Sequence, residues 1–206
     1  MSVLDGHRLV PLAAPADAAQ AEALAEGLVE GGVPIVEVAL RTGFALEALR
    51  RVAADGRLVV GAGTVLDADQ ALAALDAGAQ FLVSPGLSAE VVRIAQDADV
   101  PVLPGVLTPS EVMAARDLGL DRVKLFPASV GGGRALLDAH ASVFRGIRFM
   151  PSGGVSPSTV QDYLAHPAVF AVSGSWIASS ARLDEGASAV AATAEEARRL
   201  VDAVPV

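Results

Sequence analysis

Lys124 is the only lysine in a chain of 206 residues, and fourteen arginines carry the remaining basic charge. It lies in Arg122-Val123-Lys124-Leu125-Phe126-Pro127, an apolar run that reads as a β-strand. Arginine stays protonated at any working pH, whereas a desolvated lysine amine loses its proton and can attack a carbonyl carbon. A strand-end lysine reaching for water is the alternative, so the company Lys124 keeps decides between them. In Val36-Glu37-Val38-Ala39-Leu40-Arg41-Thr42, alternation places Glu37, Ala39 and Arg41 on one face and Val36, Val38 and Leu40 on the other. With the apolar face against helices, Glu37 and Arg41 point inward, as do Arg122, Lys124 and Phe126. An amine nucleophile, a carboxylate for proton transfer and a guanidinium for an anionic group would share one mouth. A structural ion pair would use the same residue types.

A second constellation is built from small residues. Met150-Pro151-Ser152-Gly153-Gly154-Val155-Ser156-Pro157 and Val172-Ser173-Gly174-Ser175-Trp176 each follow an apolar run. Gly153 and Gly154 running into a helix start expose free backbone N–H groups, and a helix N-terminus favours anions. Tight turns alone would account for one such loop; two adjacent small-residue loops after the last two strands, the usual phosphate location of a barrel, favour phosphate binding. Gly131-Gly132-Gly133 lacks a clear cap and reads as a flexible turn. Thr64 ends Gly61-Ala62-Gly63-Thr64 with a hydroxyl, while Ser84-Pro85-Gly86 and Leu103-Pro104-Gly105 set backbone shape. Trp176 reads as packing, and Tyr163 falls on an outer helix.

The elements that must position these groups repeat as one unit. An apolar, β-branched stretch ends in Gly, Pro, Ser or Thr, and an Ala/Leu-rich helical stretch follows. Strands are predicted at 9–13, 35–40, 58–61, 81–84, 100–103, 122–126, 147–150 and 169–172. Helices are predicted at 17–30, 45–54, 67–77, 89–97, 110–118, 134–141, 157–165 and 187–203. Asp67, Ser88, Thr108 and Ser156 are candidate N-caps, the last two followed by proline at the first helical position. Gly31, Gly78 and Gly119 stand where helices should stop. Eight β-then-α units without a linker predict a single (β/α)8 TIM barrel, an α/β fold, spanning residues 1–206. A doubly wound open sheet is the runner-up; it would gather polar strand ends at one switch point, and here they are spread over several strands. Gly61-Ala62-Gly63 lacks the third glycine and the later acidic residue of a dinucleotide site.

Composition narrows the partners. Net charge is −9 with no basic cluster, which argues against nucleic acid. Although 52% of residues are hydrophobic, Asp, Glu, Arg, Gly or Pro interrupts every apolar run before the roughly 18 residues of a membrane span. The start Met1–Arg8 lacks the pattern of a signal peptide, so no membrane partner and a cytoplasmic location are expected. Zero cysteines exclude disulfides, thiolate catalysis and cysteine zinc sites. His7, His140 and His166 have no ligand-like spacing and read as surface or cap residues, so neither a metal nor another cofactor is expected.

Taken together, the motifs resemble the class I, Schiff-base 2-keto-3-deoxy-6-phosphogluconate and 4-hydroxy-2-oxoglutarate aldolases. Gly31-Gly32, VEVALRT (36–42), VGAGTVLD (60–67), GAQFLVSPGL (78–87), VKLFPA (123–128), MPSGGVSP (150–157) and SGSW (173–176) carry the likeness, in order along nearly the whole chain. The resemblance implies a homotrimeric barrel that cleaves a phosphorylated 2-keto acid to pyruvate and glyceraldehyde 3-phosphate. It implies Lys124 as the Schiff-base lysine and Glu37 as the proton-transfer group. Arg41 and Thr64 would hold the pyruvyl carboxylate, Pro85 and Phe126 would line the pocket, and Gly153, Gly154 and Ser175 would hold phosphate. Ser152 stands where many relatives have threonine and Ser129 where relatives often have glutamate, which bears on substrate preference more than on reaction class. Desolvation and the Arg41 charge are both expected to favour the neutral amine. The same mechanism on 4-hydroxy-2-oxoglutarate or a galactonate epimer, a phosphosugar isomerase or epimerase without covalent catalysis, and a non-catalytic anion-binding barrel are the competing readings.

Overall fold

In the computed structural model, which describes residues 2–205, strands and helices alternate along the chain. The strands are β1 (Leu9–Ala13), β2 (Ile35–Ala39), β3 (Val59–Gly63), β4 (Phe81–Val83), β5 (Val102–Leu103), β6 (Gly105–Val106), β7 (Arg122–Leu125), β8 (Arg148–Pro151) and β9 (Val172–Gly174). The helices are α1 (Ala18–Glu30), α2 (Ala45–Ala54), α3 (Ala68–Asp76), α4 (Ala89–Asp97), α5 (Pro109–Asp117), α6 (Gly133–Val143), α7 (Val160–Leu164), α8 (Ser180–Asp184) and α9 (Ala187–Asp202).

Every strand pairing is parallel, in a six-stranded sheet ordered β5-β4-β3-β2-β1-β9 and a three-stranded sheet ordered β6-β7-β8. Two thin seams join the sheets. At the first, Pro104 divides the stretch expected to be a single fifth strand: β5 pairs with β4 and β6 with β7. Proline has no N–H to give a ladder, but its carbonyl accepts from the Lys124 amide at 2.9 Å. At the second, Phe149 of β8 bridges Val169, three residues before β9. Pairing therefore passes through eight β-positions and returns to β1 as a curled parallel sheet with helices outside. This is the expected (β/α)8 arrangement rather than the open sheet.

Strand alternation sorts the core as expected. Val36 and Val38 are wholly buried on the helix-facing side of β2, and Val123 and Leu125 are wholly buried on either side of Lys124. Arg122 does turn inward, but at the N-terminal end of the barrel, where it binds Asp5 at 2.7 Å and lies 5.3 Å from the Phe170 ring centroid.

Helix starts follow their caps where a short polar side chain is free to turn back. Asp17, Asp67, Ser88 and Thr108 each accept from the third amide beyond them. Ser156 is the exception: its hydroxyl engages those of Ser158 and Thr159, and α7 starts only at Val160 with Thr159 at the cap position. The five-residue α8 was not anticipated, being too short to show a helical period. Strand β3 extends through Gly63, and β9 is displaced toward Gly174. In β9 the register is set by pairing with β1, where Val10 stands opposite Ser173.

Thr108 and Glu111 form a reciprocal capping box at the start of α5, the helix leading into the lysine strand. Burial raises the Glu111 carboxyl, but N–H bonds from Leu107 and Thr108 and the Thr108 hydroxyl outweigh it and hold it below its ordinary 4.5. A carboxyl depressed in the folded state contributes stability above its unfolded value, lost as pH falls through the folded one. Thr108→Ala is expected to cost about 1 kcal/mol in urea unfolding at neutral pH. Glu111→Gln should flatten the acid side of the stability curve, and an unchanged curve would remove the carboxylate from that role.

Candidate active site

Lys124 and Glu37, 87 residues apart in sequence, meet inside the barrel with Nζ and Oε1 at 3.2 Å. Lys124 is 3% exposed and Glu37 fully buried. Two buried charges are tolerable only in good geometry with their remaining polar atoms satisfied. The second carboxylate oxygen, Oε2, accepts from the buried Ser173 hydroxyl at 3.4 Å. Space for the carboxylate comes from Gly63 on the neighbouring strand, because a Cβ there would overlap Glu37 Oε1. The Phe126 ring centroid lies 5.2 Å from Lys124 Nζ, within cation–π range.

Arg41 reaches the mouth by a different route from the one alternation suggests. β2 ends at Ala39, the Arg41 amide donates to the Ala39 carbonyl, and the residue is exposed. Its Nε donates to Thr64 Oγ1 at 2.9 Å. Thr64 adopts φ +59, a left-handed conformation that a β-branched residue takes only under strain. A strained turn thus aims the hydroxyl that orients Arg41. Pro85 enters through the turn after β4, where Ser84 Oγ donates to the Gly86 carbonyl at 2.7 Å. A Cβ on Gly105 would overlap the Pro85 carbonyl, and Gly105 is the register partner of Lys124.

The glycine loop is tied to the lysine strand from both sides. The Ser152 amide donates to Leu125 O at 3.0 Å, and the Ser152 carbonyl accepts from Ala128 N at 2.8 Å. Gly153 and Gly154 both have φ +85, which glycine alone adopts without strain. A Cβ on Gly153 would stand 3.1 Å from the Phe126 ring. On Gly154 it would overlap the Ser129 hydroxyl, while the Ser129 amide donates to Gly153 O at 3.0 Å. Among the described residues no acceptor takes the amides of Gly153, Gly154 or Ser175, and Gly154 and Ser175 are exposed. The expected helix dipole behind the loop is a correction. α7 and α8 have five residues each and start at Val160 and Ser180, so loop amides rather than an adjoining long helix would meet an anion.

Ser173 is the residue that sequence reasoning missed, because the strand was ended at Val172. Its signal was present in Val172-Ser173-Gly174-Ser175: once the strand is extended by two residues, alternation sends Ser173 inward. Trp176 packs its ring over Gly174, as read. Tyr163 is buried on α7. Of the histidines, His140 and His166 are buried rather than surface groups. His140 Nε2 lies 3.0 Å from Leu107 O, and His166 Nδ1 accepts from Ala168 N at 3.0 Å. Burial, helped by the Arg134 charge and opposed by Asp138, lowers the His166 pKa. Two clefts of about 600 and 540 Å³ open at the N-terminal end around Arg122, and neither includes Lys124 or Glu37.

Residues 1–192 match the family described as KDPG and KHG aldolase. A 2-dehydro-3-deoxy-phosphogluconate aldolase of Zymomonas mobilis is 43% identical over 95% of this chain and 93% of that protein. A KHG/KDPG aldolase of Escherichia coli is 40% identical over 90% of this chain and 87% of that protein. The crystal structure of a KDPG aldolase from Legionella pneumophila, with pyruvate captured as a covalent carbinolamine, superposes with a TM-score of 0.90 at 33% identity, covering 94% of this chain and 95% of that one. Matched along almost its whole length in sequence and in fold, the chain belongs to the KDPG and KHG aldolases, enzymes that cleave carbon–carbon bonds.

Proposed function

We propose that this enzyme cleaves 2-keto-3-deoxy-6-phosphogluconate reversibly to pyruvate and glyceraldehyde 3-phosphate through an imine on Lys124. The observation that carries the reading is the buried 3.2 Å contact between Lys124 Nζ and Glu37 Oε1. A proton passing along it from ammonium to carboxylate leaves a neutral amine without moving net charge into or out of the barrel. The amine adds to the C2 ketone; Glu37 then returns the proton to the carbinolamine oxygen, which leaves as water to give a protonated imine with Glu37 again ionised. As Glu37 takes the C4 hydroxyl proton, directly or through water, the C3–C4 bond breaks. Its electron pair moves into the imine to form an enamine, and the aldehyde leaves. Protonation of the enamine at C3 and addition of water to the imine release pyruvate and restore the amine.

Arg41, oriented by Thr64, binds the pyruvyl carboxylate; Pro85 and Phe126 line the pocket. The free amides of Gly153, Gly154 and Ser175, with the Ser152 hydroxyl beside them, receive the phosphate. Because the pyruvyl half would be read identically, 4-hydroxy-2-oxoglutarate and the galactonate epimer are the second reading, in line with the paired name of the Escherichia coli relative. The whole chain acts as one catalytic unit in this reading. It works in the cytoplasm, and its assembly is the homotrimer that the family resemblance implies. No helix among the described residues is long and apolar enough to cross a membrane.

Borohydride reduction in the presence of pyruvate should leave one pyruvyl adduct, mapped to Lys124 by peptide mass spectrometry. An isomerase or a simple anion binder would leave none, so an unmodified Lys124 overturns the imine mechanism. Glu37→Gln should lower turnover by about a hundredfold or more while pyruvate affinity changes little. Glu37→Ala strands a buried charge and should cost about 3–5 kcal/mol of stability, regained when Lys124→Met is added. Pyruvate release from the three candidate substrates ranks them, and a preference for unphosphorylated 4-hydroxy-2-oxoglutarate would remove the phosphate role from the glycine loop.

A further inference from the structure

We infer that Ser173 is a positioning residue for Glu37, keeping its carboxylate aligned while Lys124 changes chemical state; the inference rests on the proton-transfer role proposed for Glu37. Ser173 on β9 stands opposite Val10, and Glu37 on β2 stands opposite Leu12, with β1 between them. Val10 and Leu12 are two residues apart on one strand, so Ser173 and Glu37 share the inward face, and the hydroxyl reaches across β1 to the carboxylate. Ser173 and Glu37 are both fully buried. Among the described residues, no side chain but Ser173 donates to Glu37 Oε2, and Ser173 Oγ bonds to nothing else.

The last torsion of a glutamate side chain has a broad profile, so a single contact leaves the carboxylate plane free to pivot. Two donors on opposite oxygens hold it. One of them, Lys124 Nζ, is spent in each turnover: it passes from amine to carbinolamine to imine, and its bond to Glu37 changes at every stage. The Ser173 hydroxyl does not react. It can donate to the ionised carboxylate and accept from the protonated one, since a hydroxyl is both donor and acceptor. Ser173 is thus the contact that persists as Glu37 takes up and returns its proton. Alanine would leave Oε2 buried without a donor.

The test compares full-length wild type with Ser173→Ala, Ser173→Cys and Ser173→Thr. It measures borohydride-trapped pyruvyl adduct, deuterium exchange into the pyruvate methyl group in D₂O, and kcat against KM. Imine formation on Lys124 should persist in all four proteins, with KM changed less than twofold. Methyl exchange and kcat should fall roughly tenfold in Ser173→Ala and Ser173→Cys, the rate equivalent of one ordinary hydrogen bond, and recover in Ser173→Thr. Should Ser173→Ala unfold, Ser173→Cys carries the comparison, since it conserves volume with a much weaker donor. Wild-type exchange in either variant overturns the inference, as does an equal loss in Ser173→Thr, which would mark a packing role. Absence of any adduct in the wild type would instead defeat the Lys124 reading.

Discussion

The structure depends on keeping an amine and a carboxylate in contact at a buried position inside the barrel. Lys124 and Glu37 come from strands far apart in sequence, and neither charge would be stable alone at such burial. Desolvating each ion costs several kcal/mol, and only close geometry with every polar atom engaged offsets it. That condition reaches into the neighbouring strands. Gly63 on β3 leaves room for the carboxylate, and Ser173 on β9 offers a hydroxyl to its second oxygen. The apolar residues flanking both ionisable groups seat them by packing outward against helices.

The same arrangement suits an enzyme that makes a covalent intermediate. A surface lysine would remain hydrated, whereas this one is buried against a carboxylate. Around it the mouth is assembled from turns, not from regular strand positions. Arg41 leaves the ladder before it points, Thr64 is held in a strained conformation to meet it, and Gly153 and Gly154 take backbone angles closed to other residues. The rigid floor and the shaped rim have separate origins. Parallel pairing makes the floor, and local turn chemistry makes the rim.

Legibility followed the range of the forces involved. Alternation in 36–42 and 122–126 was enough to turn Glu37 and Lys124 inward, since a strand with one face against helices has little freedom of register. Three of the four proposed caps worked because Asp67, Ser88 and Thr108 needed only their own backbone. Ser156 failed because neighbouring hydroxyls competed for it. Pro104 in sequence implies only a shaped turn; that it hands the chain from β4 to β7 depends on partners distant in sequence. Ser173 was missed for a related reason: where β9 ends is decided by β1.

By itself, then, the sequence determined the repeating unit, the inward pair and the small-residue loops. Each depends on side-chain type and on period along a short stretch, and those are local properties. Only the tertiary structure decided that Lys124 and Glu37 touch, that Ser173 completes the carboxylate's contacts, and that short helices leave the glycine loop to its own amides. These depend on registers between strands and on the space neighbours leave. A chain's periodicity says which way a side chain faces, and the curling of the sheet says what it meets there.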